Sequence, residues 1–120
     1  MTAGDPDGEG DVDLGREMRD FVTVARVSEL PAKKGRQVTV NGRWVALFNV
    51  DGTYYAIDAI CLHRGGPLAD GMLSRCIVTC PWHGWQFDVA TGALVQDPGV
   101  GVSRHETRIV GDEIQVRLTD

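Results

Sequence analysis

The chain has 120 residues, a length that suits one domain, and its formal net charge is −5 at pH 7. The first twenty residues carry this charge, because seven acidic side chains stand there against two arginines, and the rest of the chain is neutral overall. The sequence shows no basic stripe of the kind that favours nucleic-acid binding, and no apolar run of about 18 residues that would predict a membrane span. No basic and then apolar secretory signal stands at the N-terminus, so the cytoplasm is the expected location.

Two regions are predicted from the distribution of residue types. Residues 1–20 are rich in glycine and aspartate and poor in large apolar side chains, which predicts a disordered acidic tail. Residues 21–120 alternate short apolar runs with turn residues, which predicts one folded domain.

Short strands joined by tight turns are predicted throughout this domain. Asn41-Gly42 and Asp51-Gly52 stand between apolar runs and predict two hairpins in succession, and Gly111-Asp112 predicts another near the C-terminus. The predicted strands cover residues 21–24, 37–40, 43–50, 53–57, 75–79, 85–89, 103–110 and 113–118. No helical period longer than two turns is visible, so the predicted class is all-β, with two loops inserted between residues 58 and 92.

The two inserted loops contain the residues that point to chemistry. One loop reads Cys61-Leu62-His63, and the other reads Cys80-Pro81-Trp82-His83. Each loop therefore offers one thiolate and one imidazole, whereas zinc fingers pair cysteine with cysteine and histidine with histidine. A mixed pair on each of two loops suits a binuclear site, in which one iron takes both thiolates and the other takes both imidazoles. A mononuclear zinc site with the same four ligands is the alternative.

These half-motifs, together with the residues from Gly84 to Asp88 and Thr91-Gly92, resemble the Rieske iron–sulfur family. The resemblance covers residues 21–118 and implies an antiparallel β-sandwich with a small cluster-binding subdomain at about residues 59–91. It also implies one [2Fe-2S] cluster per chain. The implied ligands are Cys61, His63, Cys80 and His83.

Two departures from the quinol-oxidising branch of this family narrow the expected function. Proteins of that branch carry a disulfide between the two loops, but the matching positions here hold Gly66 and Trp82. They also use a serine and a tyrosine to donate hydrogen bonds to cluster sulfur, and Trp85 and Phe87 stand at those positions here. Because such hydrogen bonds stabilise the reduced cluster, their loss lowers the reduction potential. The resemblance is therefore to the low-potential ferredoxins of multicomponent oxygenases.

The expected function is that of a soluble, monomeric one-electron carrier between a flavin reductase and a terminal non-haem iron oxygenase. The chain itself is not expected to be catalytic, because only His105 is left over for a two-histidine one-carboxylate iron site. A small Rieske subunit of a larger reductase, such as an assimilatory nitrite reductase, is the alternative. A small apolar docking patch is expected around the cluster. Its expected members are Leu62, Gly65, Gly66, Pro67 and Trp82.

We expect the other distinctive residues to have structural roles. Cys76 is predicted to be a small buried side chain on an apolar strand. His105 is predicted to be exposed, because its neighbours on the last hairpin are polar. The aromatic side chains of Trp44, Tyr54 and Tyr55 are predicted to pack on the core or on a sheet face.

Overall fold

The computed structural model describes residues 21–61, 65–82 and 84–119. The predicted tail and the predicted ligands His63 and His83 lie outside these ranges. Within them no helix is long and apolar enough to cross a membrane. The regular structure of the same ranges consists of strands and two single 3-10 turns, Val27–Glu29 and Leu68–Asp70.

The described residues form eleven strands, all of them paired antiparallel. They are β1 (Val22–Arg26), β2 (Lys34–Val40), β3 (Arg43–Val50), β4 (Thr53–Asp58), β5 (Met72–Ser74), β6 (Ile77–Thr79), β7 (Gln86–Asp88), β8 (Ala93–Leu94), β9 (Asp97–Gly101), β10 (Arg104–Val110) and β11 (Glu113–Arg117). A six-stranded sheet has the order β1-β11-β10-β4-β3-β2, and a five-stranded sheet has the order β5-β6-β7-β8-β9. The all-β prediction is confirmed.

The predicted hairpins of the large sheet form because their turn residues adopt the backbone conformation that the turn needs. Asn41 and Gly42 have φ values of 50° and 81°, and Asp51 and Gly52 have 51° and 96°. Two consecutive positive φ values match a type I′ turn, whose twist agrees with that of the flanking strands. The pairs β2–β3 and β3–β4 are therefore fixed in register by local sequence.

The small sheet departs from the prediction at its first hairpin. Residues 75–79 do not form one strand, because Arg75 and Cys76 make the turn between β5 and β6. Arg75 has a φ of 55°, which long side chains rarely adopt, so the sequence gives no turn signal here. Cys76 is consequently a half-buried turn residue that packs on the core, and its placement on a strand was wrong. Strands β8 and β9 were also not predicted.

The central strands β3 and β4 are buried on both faces. Alternate side chains of β3 enter different clusters, with Ala46 and Phe48 on one side and Val45 and Leu47 on the other. One cluster contains Phe87 and side chains of the small sheet, and the other contains side chains of β1, β2 and β11. Because both faces of β3 are buried, its sequence is an almost continuous apolar run. It also places the small sheet and the two cysteines against one face of the large sheet.

Candidate metal centre

The first cysteine loop (residues 61–66) follows β4 and closes on itself through the backbone. The N–H of Cys61 donates to the carbonyl of Gly66 at 2.8 Å, and the N–H of Gly65 donates to the carbonyl of Cys61 at 3.1 Å. Gly65 has a φ of +71°, which favours glycine at this position. An isolated bridge between Ile60 and Pro67 closes the base of the loop. The loop therefore holds the backbone of Cys61 at both its N–H and its carbonyl.

The second cysteine loop (residues 80–85) connects β6 to β7 with the same pattern. The N–H of Cys80 donates to the carbonyl of Trp85 at 2.7 Å, and the N–H of Gly84 donates to the carbonyl of Cys80 at 3.2 Å. Gly84 has a φ of +76°. Strands β6 and β7 fix the two ends of this loop, because Thr79 pairs with Gln86.

The two loops are in direct contact, and both thiols are buried. A Cβ atom built on Gly66 would lie 2.5 Å from Sγ of Cys80, so the first loop packs against the second at this sulfur. Cys61 and Cys80 are only 2% and 1% exposed and belong to the same core cluster. No disulfide joins the three cysteines of the chain, all of which are described. The backbone N–H of Trp82 lies 3.4 Å from Sγ of Cys80 and donates to it.

This arrangement fits a cluster that is held by sulfur ligands. Two buried cysteine sulfurs on neighbouring loops form a soft ligand pair, and a backbone N–H donates to one of them, as groups that support metal ligands commonly do. The sequence prediction placed Cys61 and Cys80 in one site, and the structure brings their loops together. The structure leaves the predicted ligands His63 and His83 outside the described residues.

A profile of the Rieske [2Fe-2S] domain matches residues 20–108, which is most of the chain. The chain belongs to the Rieske [2Fe-2S] domain family. The group that this domain carries is one [2Fe-2S] cluster, and the buried thiols fit it. The family membership decides between the two metal sites that the motifs left open.

Known Rieske proteins of different size resemble this chain. It is 34% identical over 98 residues to apoptosis-inducing factor 3 of Mus musculus, covering 81% of this chain and 16% of that protein. It is 31% identical over 100 residues to the ferredoxin component of the naphthalene 1,2-dioxygenase system of Pseudomonas aeruginosa, covering 82% of this chain and 96% of that protein. This chain therefore spans a small part of the first relative and nearly all of the second.

Solved Rieske structures share the fold. The ferredoxin of carbazole 1,9a-dioxygenase from Nocardioides aromaticivorans IC177 superimposes with a TM-score of 0.77 at 27% identity, covering 82% of this chain and 98% of that chain. A complex of reduced oxygenase and oxidised ferredoxin in carbazole 1,9a-dioxygenase matches with a TM-score of 0.74, also at 27% identity, covering 81% and 92% of the two chains.

A hydrogen bond between His105 and Asp58 supports the entrance to the first cysteine loop of this Rieske domain. Nε2 of His105 lies 2.8 Å from Oδ1 of Asp58, whose carboxylate also accepts from Arg43 at 3.0 Å and from the N–H of Ser103 at 3.2 Å. The N–H of Thr119 donates to Nδ1 of His105 at 3.3 Å, so the Nε2 hydrogen is directed at the carboxylate. His105 is 3% exposed, and its prediction as an exposed histidine was wrong. Its acceptor lies 47 positions away, so no local pattern reveals the pair.

An exposed apolar surface surrounds the two loops of the Rieske domain. Trp82 is 48% exposed and Ile60 is 42% exposed, and Ile60 lines an open groove with Trp44. Trp44 is 55% exposed, which excludes it from the core, whereas Tyr54 and Tyr55 pack on the two clusters. We call Trp44, Ile60, Gly65, Pro67 and Trp82 the apolar surface.

The predicted docking patch and this apolar surface differ in four residues, two that only the prediction contains and two that only the structure shows. Gly66 is buried beneath Trp82, and Leu62 lies outside the described residues. Trp44 and Ile60 were not predicted to belong to it, because their neighbourhood depends on the pairing of β3 with β4. The apolar surface therefore extends from the cysteine loops onto the large sheet.

Proposed function

We propose that this chain is a one-electron carrier of a multicomponent oxygenase system, with its cluster held by Cys61, His63, Cys80 and His83. It takes electrons from a flavin reductase and passes them to a terminal non-haem iron oxygenase. The cluster that these four residues would hold would supply a one-electron redox group, and the chain itself would make or break no bond. The observation that carries the proposal is the pair of buried thiols on two touching loops, in a domain that covers nearly the whole of a dioxygenase ferredoxin.

The chain's own residues have three tasks in this proposal. The two loops hold the sulfur atoms away from water, because both cysteines are almost fully buried. The N–H of Trp82 stabilises negative charge on Sγ of Cys80. The apolar surface provides a small contact for transient partners, as redox encounters commonly use. We further propose that the protein acts as a monomer in the cytoplasm.

Metal and sulfide analysis tests which cofactor the chain holds. The protein purified without oxygen should contain about two iron ions and two acid-labile sulfides per chain. Stoichiometric zinc without sulfide would contradict the proposal.

Electron transfer tests the function. The reductase and oxygenase components of a naphthalene 1,2-dioxygenase system, with NADH, supply the assay. This chain should support oxygenase turnover in place of the cognate ferredoxin, and the cluster-loaded protein should be reduced by the reductase. A loaded protein that neither accepts nor delivers electrons with any such pair would contradict the carrier role.

A matched pair of variants tests docking at the apolar surface. Ile60→Ala removes an exposed side chain beside the first cysteine loop, and Ile109→Ala removes one of equal exposure near the far end of β10, at 42% and 43%. The first should slow electron transfer to the oxygenase and the second should not, while both keep the cluster spectrum. Equal rates for both variants would place docking elsewhere.

A second candidate function is that of an electron-transfer module within a larger enzyme, such as a reductase subunit. The similarity to a 16% segment of apoptosis-inducing factor 3 favours it, because that protein is much longer than this domain. Stable co-purification with one large partner would support this candidate, and a monomer that elutes alone would support the free carrier.

A further inference from the structure

Gly66 stands at the closest approach of the two cysteine loops. A Cβ atom at this position would lie 2.5 Å from Sγ of Cys80, and 3.1 Å and 3.2 Å from Cβ and Cγ of Trp82. Gly66 does not have a left-handed backbone, in contrast to its neighbour Gly65. Space, and not backbone conformation, is therefore the reason that a glycine is needed here. The atom that a side chain would meet first is the sulfur of a cysteine.

Trp82 completes the same contact from the second loop. Its side chain packs on Gly66 through Cβ and Cγ, while its backbone N–H donates to Sγ of Cys80 at 3.4 Å. Gly66 is buried although Gly65 beside it is exposed, which agrees with a cover over Gly66 alone. Sγ of Cys80 is thus enclosed by Gly66 of the first loop and by Trp82 of its own loop.

We propose that Gly66 and Trp82 form a noncovalent clasp that joins the two cysteine loops and fixes Sγ of Cys80. The clasp positions this sulfur toward the cluster and keeps water and small chelators away from it. This proposal depends on the proposed function in one respect, namely that Cys80 is a ligand of the cluster. Neither residue acts on the transferred electron directly, so both are positioning residues.

Gly66→Ala tests the clasp in the cluster-loaded full chain. The methyl group must displace Sγ of Cys80 or the side chain of Trp82, so the visible circular dichroism and the reduction potential should both shift. Loss of iron to excess bathophenanthroline disulfonate should become roughly tenfold faster, as is typical when groups that support metal ligands are changed. The matched control is Gly111→Ala in the turn between β10 and β11, where the added Cβ would meet no described atom within 4 Å.

The control separates positioning from stability. Gly111 has a positive φ, so its substitution strains the backbone and lowers the thermal midpoint. It should nevertheless leave the dichroism, the potential and the rate of iron loss close to those of the unchanged protein. If Gly66→Ala behaves like Gly111→Ala in these three readouts, the clasp is overturned.

If the Gly66→Ala protein holds no cluster, variants of Trp82 test the clasp instead. Trp82→Ala creates no clash and removes the cover, so it should accelerate iron loss roughly tenfold, and Trp82→Phe should restore most of the protection. An unchanged rate for Trp82→Ala would contradict the clasp. The clasp and the carrier function fail separately, because these readouts need no reductase or oxygenase.

Discussion

The two cysteine loops have the same pattern of backbone hydrogen bonds, but one ends on a glycine and the other on a tryptophan. In both, the cysteine N–H donates to the carbonyl five residues later, and a left-handed glycine four residues after the cysteine donates back. The first loop ends on Gly66, which lies against the sulfur of Cys80, and the second ends on Trp85, which packs on the core cluster. The shared turn thus positions each cysteine, and the last residue decides what the loop contacts.

This difference gives the two loops different supports. The second loop is held by β6 and β7 and by the half-buried side chain of Trp85. The first loop has a strand on one side only, and depends on the Asp58–His105 pair before it and on its contact with the second loop after it. We therefore expect the first loop to respond more strongly to changes outside its own sequence.

The largest expected effect is the loss of the cluster when either loop loses its thiol. Cys61→Ser and Cys80→Ser should each abolish the native cluster, because a serine hydroxyl is a poor ligand for iron–sulfur clusters. His63→Ala and His83→Ala should do the same if these residues are ligands. Iron and sulfide content and the visible spectrum measure the outcome, and Cys76→Ser is the control that should leave them intact. A full cluster in Cys61→Ser would remove the first loop from the site.

The next largest effect is a loss of stability when the first cysteine loop loses a residue that supports it. His105→Ala removes a buried imidazole that bonds Asp58 and the N–H of Thr119, so it should destabilise the protein by roughly 1–3 kcal/mol. The thermal midpoint of the loaded protein should fall by several degrees, and the cluster spectrum should persist. Arg104→Ala, at an exposed neighbour on the same strand, should change stability by less than about 0.5 kcal/mol. Equal midpoints for the two variants would show that the His105–Asp58 hydrogen bond does not stabilise the fold.

The parts of the fold that follow from local chemistry were predictable, and the rest depended on distant partners. Asn41-Gly42 and Asp51-Gly52 determine their hairpins through positive φ values that few other residues adopt. The turn at Arg75 and Cys76 has no such residue, so its hairpin could not be read from the sequence. The equal spacing from each cysteine to a glycine four positions later was present in the sequence and could have indicated the shared turn.

In the candidate site, too, some features follow from the local sequence and others depend on distant strands. The motif spacing placed Cys61 and Cys80 in one centre, because ligand types and their separation are local features. The inward position of His105 and the exposure of Trp44 were missed, because each depends on how strands far apart in the chain pair. Its polar neighbours predicted an exposed His105, although the side chain is buried and bonds to the Asp58 carboxylate at the end of β4.

A smaller effect tests whether the two turns are equivalent. Gly65→Ala and Gly84→Ala each place a Cβ on a left-handed residue, at a cost of roughly 1–2 kcal/mol. Among the described residues neither added Cβ meets a close atom, because Gly84 has none within 4 Å and Gly65 has Ile60 at 3.6 Å. The two thermal midpoints should therefore fall by similar amounts, and the asparagine variants should fall less, since asparagine tolerates this conformation. A clearly larger loss at one position would show that the shared pattern of hydrogen bonds hides a difference in support.

The smallest expected effect is a change in reduction potential that arises at the end of the second loop. Trp85 and Phe87 stand where hydroxyl donors to the cluster are found in the quinol-oxidising branch, and Phe87 is fully buried in the cluster of side chains that contains both cysteines. Trp85→Ser and Phe87→Tyr together should raise the potential, because hydroxyl donors stabilise the more negative reduced cluster. A shift of about 59 mV would correspond to a tenfold change in the one-electron equilibrium.

The buried position of Phe87 provides the control for this measurement. A tyrosine hydroxyl that reaches no acceptor there costs roughly 1–3 kcal/mol, so Phe87→Tyr alone should lower the thermal midpoint unless its hydroxyl bonds to sulfur or to another buried acceptor. A raised potential with a retained midpoint therefore indicates a hydroxyl that bonds to the cluster. An unchanged potential at full iron and sulfide content would contradict the hydrogen-bond explanation. A low measured potential would then have to come from the solvent exposure of the loops or from their charge.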